Sequence, residues 1–317
     1  MSNIIEIQGL TKKYNGLIAL NDLHLSIEEG SVFGFIGPNG AGKTTTMRIL
    51  TTLLKPTRGQ AWVAGHSVTK EPDKVRRAIG YMPDFFGVYE DMKVWEYLDF
   101  FAACYNVPAN QRAPMITDLL ALVDLQPKRD DYVESLSRGM KQRLCLARTL
   151  AHDPQILILD EPASGLDPRA RIEMRELLRE LKRMGKTIFF SSHILSEVAD
   201  ICTSIGIIEA GELVAFGDMA DMRRRLRDHR LIQVRVLDDL DPIKAYLLAH
   251  EQVHSIIAAP DVDLPPNTLR FDFSGSDADL AATLGELIRR DIPVINFQEE
   301  SGDLEDVFLH ATKGILN

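Results

Sequence analysis

The apolar positions of this chain follow two alternating rhythms. Ile5 and Ile7, then Leu23, Leu25 and Ile27, recur at every second residue, as in strands with one buried face. Val32 to Ile36 is a continuous apolar run set off by a Glu29-Gly30 turn. A glycine-rich loop follows, and Lys43 to Leu54 has the spacing of a helix. From Phe85 to about His152 the pattern is mostly helical, with Met140, Leu144, Ala147 and Ala151 on one face and Pro108 and Pro114 as expected breaks. Strand and helix then alternate again: a strand at Ile156 to Leu159, a helix from Pro168 to Met184, a strand from Lys186 to Ser191 and a helix near Ile194 to Cys202. Ala210-Gly211 separates two short strands as a hairpin turn. This order implies a parallel sheet with helices on its faces, interrupted by a helical insertion.

A basic stretch containing Arg223, Arg224, Arg225, Arg227 and Arg230 comes next and reads as a linker helix. Beyond it the pattern is strand (Leu231 to Val236), helix (Asp241 to His250), strand (Val253 to Ala258), strand (Thr268 to Phe273), helix (Asp277 to Arg290) and strand (Pro293 to Gln298). That is the order of a small βαββαβ domain. The predicted organisation is a main domain over 1–220 with its helical insertion at about 85–152, a linker over 221–230 and an accessory domain over 231–317.

Composition narrows the function. The chain has 317 residues, 45% hydrophobic and 26% charged, enough for one large domain and a smaller one. A net charge of -10 disfavours a nucleic-acid partner held by a broad basic surface. The local arginine run is interleaved with Asp221 and Asp228 and reads as a solvated helix face. Cys104, Cys145 and Cys202 are widely spaced among apolar neighbours and are expected to be reduced core residues in the cytosol. Met1 to Leu10 shows no secretory signal, and no apolar run approaches the roughly 20 residues of a membrane span. Any work at a membrane would go through a partner.

Candidate chemistry appears at two places. Gly37-Pro38-Asn39-Gly40-Ala41-Gly42-Lys43-Thr44 fits the P-loop pattern between a predicted strand and a predicted helix. Glycines there let successive N–H groups and the helix N-terminus face a polyphosphate. Lys43 can reach the β- and γ-phosphates of ATP, Thr44 can ligate Mg²⁺, and Thr45 completes the binding turn. The run Ile156 to Leu159 delivers Asp160 and Glu161 at the carboxyl end of a strand, where doubly wound sheets place ligands. Asp160 would hold the metal through water, and Glu161 would orient and deprotonate the attacking water. Without the P-loop, the same pair would read as a loop start and helix cap.

These residues, with others in order, resemble the ATP-binding-cassette (ABC) family. Leu136-Ser137-Arg138-Gly139-Met140-Lys141-Gln142-Arg143 is similar to its L-S-G-G-Q signature, with Arg138 and Met140 in place of a glycine and a glutamine. Ala163 to Asp167 resembles its D-loop, His193 its switch histidine, and Tyr14 the ring it stacks on adenine. Tyr81-Met82-Pro83-Asp84 stands where the family has a metal-sensing glutamine. Asp84 is thus either a metal ligand or a turn residue. Leu304 to Leu309 resembles the tail of type-2 exporter ATPases, or caps the accessory domain as an amphipathic helix.

The resemblance implies an α/β fold, a P-loop NTPase cassette with a helical insertion and an α+β accessory domain. It implies an ATPase with Mg²⁺ as cofactor and a head-to-tail homodimer in which Ser137 and Gly139 of one copy close on the nucleotide of the other. It also implies an integral-membrane permease as partner, export as the direction, and a cytoplasmic location on the inner face of the plasma membrane. The alternative is a soluble ABC ATPase acting on ribosomes or DNA, whose usual second cassette or long coiled coil this sequence lacks.

Overall fold

The computed structural model describes residues 3–85, 87–89, 91–193, 201–219, 230–257 and 265–300. Two compact units result, Met1–Asp218 and Met219–Asn317.

In the first unit, β1 (Asn3–Tyr14) and β2 (Leu17–Glu28) form an antiparallel hairpin. Its turn has Asn15 at φ 42° and Gly16 at φ 92°, the left-handed pair that suits the twist of a two-residue hairpin. Alternation in β2 buries Leu23, Leu25 and Ile27. β4 (Arg58–Val63) and β5 (His66–Ser67) complete a four-stranded sheet in the order β2-β1-β4-β5.

The second sheet of this unit has six strands. Its members are β3 (Val32–Ile36), β6 (Ile79–Met82), β7 (Ile156–Leu159), β8 (Thr187–Ser192), β9 (Ser204–Glu209) and β10 (Glu212–Asp218), in the order β10-β9-β3-β8-β7-β6. All are parallel except the edge strand β10, joined to β9 through Ala210 and Gly211 at φ 48° and 84°. β3, β7 and β8 are buried at every position, as strands covered on both faces must be. Helix α1 (Lys43–Leu50) shares one core with both sheets, through Met47, Ile49 and Leu50 packed with Ile5, Phe33, Ile156 and Phe189.

Helices α2 (Pro72–Ala78), α3 (Val94–Cys104), α4 (Ala109–Leu122), α5 (Arg138–Thr149) and α6 (Pro168–Arg183) complete the unit. The insertion is the group α3, α4 and α5. Ser137 caps α5, its hydroxyl accepting the Met140 N–H at 3.3 Å, and Asp167 caps α6 by accepting from Ala170 at 2.9 Å.

Four expectations are corrected here. The helix after the P-loop ends at Leu50 rather than Leu54, because Thr52 takes a left-handed φ of 65° and the N–H groups of Leu53 and Leu54 both turn back to the Arg48 carbonyl. Pro108 precedes a helix as its cap, but Pro114 lies inside α4 without breaking it. The lost N–H is offset by burial of Ile116, Leu119 and Leu120. Cys145 and Cys202 are buried, with burial pushing the Cys145 thiol up to about 11, whereas Cys104 is exposed at the end of α3. The helix expected near Ile194 to Cys202, the linker expected over 221–230 and Leu304 to Leu309 fall largely or wholly outside the described residues, and Arg230, expected to end the linker, instead opens a strand.

The second unit contains β11 (Arg230–Val236), α7 (Asp241–Leu248), β12 (Val253–Ile257), β13 (Thr268–Phe273), α8 (Asp277–Arg289) and β14 (Val294–Glu300). The chain follows the βαββαβ order, and its antiparallel sheet runs β12-β13-β11-β14. Alternation buries Ile232, Val234 and Val236 of β11 and Leu269, Phe271 and Phe273 of β13, which pack with Ile243, Leu247 and Leu287 from the helices. Ser276 and Asp279 form a reciprocal capping box at the start of α8.

Candidate functional site

The site lies at the carboxyl ends of β3, β7 and β8. Between β3 and α1 the chain curls through Gly37 to Gly42, and packing forbids a side chain at both ends of that curl. A Cβ on Gly37 would come 2.2 Å from the Ile208 carbonyl oxygen. One on Gly42, at φ 111°, would come 2.7 Å from Leu20 and 2.8 Å from the Ala19 carbonyl. The N–H groups of Gly40, Gly42, Lys43 and Thr44 have no backbone acceptor among the described residues, so the loop and first helical turn present a set of donors. Pro38, Asn39 and Ala41 complete the curl, with the Ala41 N–H on the Pro38 carbonyl at 3.2 Å.

Lys43 is 6% exposed and folds along its own loop, its ammonium donating to the carbonyls of Gly37 at 2.5 Å and Pro38 at 3.2 Å. The same Nζ lies 3.3 Å from Glu161 Oε1. Glu161 Oε2 in turn meets His193 Nδ1 at 2.7 Å. Lysine, glutamate and histidine, from three separate elements, therefore form one chain of contacts.

Asp160 is 1% exposed. Burial raises its carboxyl above the usual range, opposed by hydrogen bonds from the Ser191 and Thr44 hydroxyls and reinforced by the charges of Asp84 and Glu161. Ser191 Oγ donates to Asp160 Oδ1 at 2.8 Å, while Oδ2 is buried without a well-formed hydrogen bond. Thr44 and Thr45 are half-buried on the first turn of α1, and Thr46 is turned inward onto the Gly42 carbonyl at 3.0 Å. Asp84 is exposed just beyond β6, near enough for its charge to act on Asp160 and on Tyr81. The Tyr81 phenol is pushed up to about 12, first by burial and then by Asp160.

The structure thus brings Lys43, Thr44, Asp84, Asp160, Glu161 and His193 together. Ser137 and Gly139 make their contacts elsewhere: a Cβ on Gly139 would touch Ala170 at 3.1 Å, and Arg138 lies across Gly165 and donates to the Ser164 carbonyl at 3.4 Å. Tyr14 is 40% exposed at the tip of the β1/β2 hairpin, with Lys12 Nζ 5.0 Å from its ring centre. Two residues at the site have no role assigned by the sequence pattern, although Gln142 belongs to the signature run and Ser191 ends a predicted strand. Ser191 holds both acidic residues, and Gln142, 3% exposed, donates from α5 to the Pro162 carbonyl at 2.5 Å. Ser191 closes an apolar strand and Gln142 sits among charged residues, and neither position by itself shows its partner.

Among the described residues no three His, Cys, Asp or Glu side chains gather as a self-sufficient metal cage. What the protein offers a cation is a buried carboxylate with one oxygen to spare and a neighbouring hydroxyl. This donor set suits a hard cation that draws its remaining ligands from phosphates and water.

A donor-lined loop facing an acidic pair two strands away in the same parallel sheet is the arrangement of the P-loop nucleoside triphosphatases, and this unit falls in that class. Residues 20–164 match the sequence family described as ABC transporter. The chain is 30% identical over 311 residues to the linearmycin resistance ATP-binding protein LnrL of Bacillus subtilis (strain 168), covering 98% of each chain. It is 32% identical over 312 residues to the Nod factor export ATP-binding protein I of Ralstonia nicotianae, covering 98% of this chain and 94% of that one. Among solved structures it resembles the dimeric ATP-binding cassette MJ0796 in a post-hydrolysis state with ADP and Pi, with TM-score 0.63 and 25% identity over 68% of this chain and 98% of that one. The chain belongs to the ABC transporter family as an ATP-binding subunit, and it is an ATPase of that family. No helix among the described residues is long and apolar enough to cross a membrane.

Proposed function

We propose that the chain hydrolyses MgATP at the Lys43–Glu161–His193 constellation and uses the cycle to drive export through a separate integral-membrane permease. The contact of Glu161 with both Lys43 and His193 carries this reading. The open N–H groups of Gly40, Gly42, Lys43 and Thr44 and the Lys43 ammonium bind the phosphates within the Gly37 to Thr45 loop and helix start, and Tyr14 stacks on the adenine. Thr44 and Asp160 hold Mg²⁺, which when bound neutralises phosphate charge. Glu161 orients a water toward the γ-phosphorus and takes its proton as the new P–O bond forms and the bond to ADP breaks. His193 fixes the carboxylate by its 2.7 Å contact.

Ser137 and Gly139 act on a second copy, so two chains join head to tail around ATP. ATP binds the closed pair better than the open one, and hydrolysis releases it. The dimeric form of the cassette MJ0796 supports pairing, and the word export in the name of the Nod factor relative supports the direction. As the ATP-binding subunit of a transporter, the chain works from the inner face of the plasma membrane beside its permease.

The test is Glu161→Gln. It should bind MgATP, lose about 10²- to 10⁴-fold in turnover, and accumulate as an ATP-bound dimer on size exclusion. Phosphate release at the wild-type rate would remove Glu161 from the role of base.

A further inference from the structure

We infer that Ser191 is a positioning residue for ATP hydrolysis, the group that holds the Asp160–Glu161 pair in working geometry. The inference rests on the reading of Glu161 as the base. Ser191 is fully buried on β8, and its single hydroxyl serves both acidic residues. It donates to Asp160 Oδ1 at 2.8 Å and accepts the Glu161 backbone N–H at 2.9 Å. The assignment of roles is forced, because an ionised carboxylate can only accept and an amide can only donate.

The second bond matters because of where Glu161 sits. Its φ of 51° lies in the left-handed region, which a residue with a Cβ occupies only when its surroundings hold it there. From that backbone conformation the Glu161 side chain reaches Lys43 and His193, so the Ser191 contact bears directly on the aim of the carboxylate. The first bond engages Oδ1 of Asp160, whose Oδ2 is buried without a well-formed hydrogen bond. Because β8 also carries the chain into His193, one strand end sets both the backbone and the side chain of Glu161.

Replacing Ser191 by alanine leaves the fold's packing in place and removes one atom that two buried polar groups depend on. Without it Glu161 relaxes from its left-handed backbone, and a shift of an ångström at the base costs about 100-fold in rate. The experiment measures steady-state ATPase kinetics, MgATP affinity and thermal unfolding for Ser191→Ala, Ser191→Thr and Glu161→Gln in the full chain. Ser191→Ala should lower kcat by about 10- to 100-fold with KM and affinity within about threefold of wild type. Ser191→Thr, which keeps the hydroxyl, should recover most of the loss. The inference is overturned if Ser191→Ala keeps wild-type kcat, if affinity falls in step with turnover, or if threonine fails to rescue. A Glu161→Gln protein that still turns over would instead overturn the reading on which the inference rests.

Discussion

Asp84 shows how one side chain can be read two ways until its neighbours are known. In sequence it is a carboxylate after a proline, common turn chemistry, at the place where the family carries a metal-sensing amide. In the structure it stays exposed, yet its charge reaches Asp160 across the mouth of the site. Two carboxylates facing one another repel unless a cation lies between them. A cation there would bind both, and we expect Asp84 to contribute to Mg²⁺ binding through that pairing. Titrating Mg²⁺ into Asp84→Ala should then raise the concentration needed for half-maximal turnover by about three- to tenfold, roughly 0.7–1.4 kcal/mol. Asp84→Gln should fall between Asp84→Ala and wild type. Unchanged Mg²⁺ dependence in both variants would leave Asp84 as a turn residue. Lys43, Asp160 and Glu161 differ from Asp84 in this respect, since their spacing around a strand and a glycine-rich loop already marks them as chemistry. The sequence pattern does not reveal that Lys43 and His193 grip opposite oxygens of the same glutamate, because those residues are far apart along the chain and meet only when β3, β7 and β8 align.

At the scale of elements, helix α5 links the insertion to the catalytic sheet. Its Gln142 amide is buried against the Pro162 carbonyl, one residue beyond Glu161. Arg143, on the same helix, donates to the Val123 carbonyl at 3.0 Å and lies 3.7 Å from Glu173 of α6. Gln142→Ala should leave the Pro162 carbonyl unpaired and cost about 1–3 kcal/mol of stability. For a unit of this size that lowers Tm by about 2–4 °C per kcal/mol, readable by calorimetry. A change under about 1 °C would mean the bond has no net worth. The elements with strong periodicity, β2, β3, β7 and α6, were legible from their apolar positions alone. The early end of α1 and the survival of α4 across Pro114 were not, because each turns on where the chain's next contacts lie.

For the whole molecule, the central question is what the second unit contributes. It has its own core and a capped helix α8, and the sequence of 231–317 contains no motif resembling a nucleotide site. A chain ending near Arg230 should therefore keep MgATP affinity within about threefold of the full protein, under roughly 0.7 kcal/mol by equilibrium binding. Any deficit should appear instead in dimer stability or in assembly with the permease. A large loss of affinity in a truncated chain that remains folded would contradict this division of labour. The sequence by itself determined the nucleotide chemistry, since a P-loop and an acidic strand end are each local patterns readable from residues close in the chain. It also determined the βαββαβ order of the second unit, because periodicity and turn residues are local too. Only the tertiary structure decided that the first unit holds a separate antiparallel sheet in the order β2-β1-β4-β5, that Gly42 must be glycine because β2 presses on it, and that Ser191 holds two acidic residues at once. Those facts depend on contacts between residues distant in sequence, and strand order and close approach are fixed by packing rather than by the pattern of any one segment.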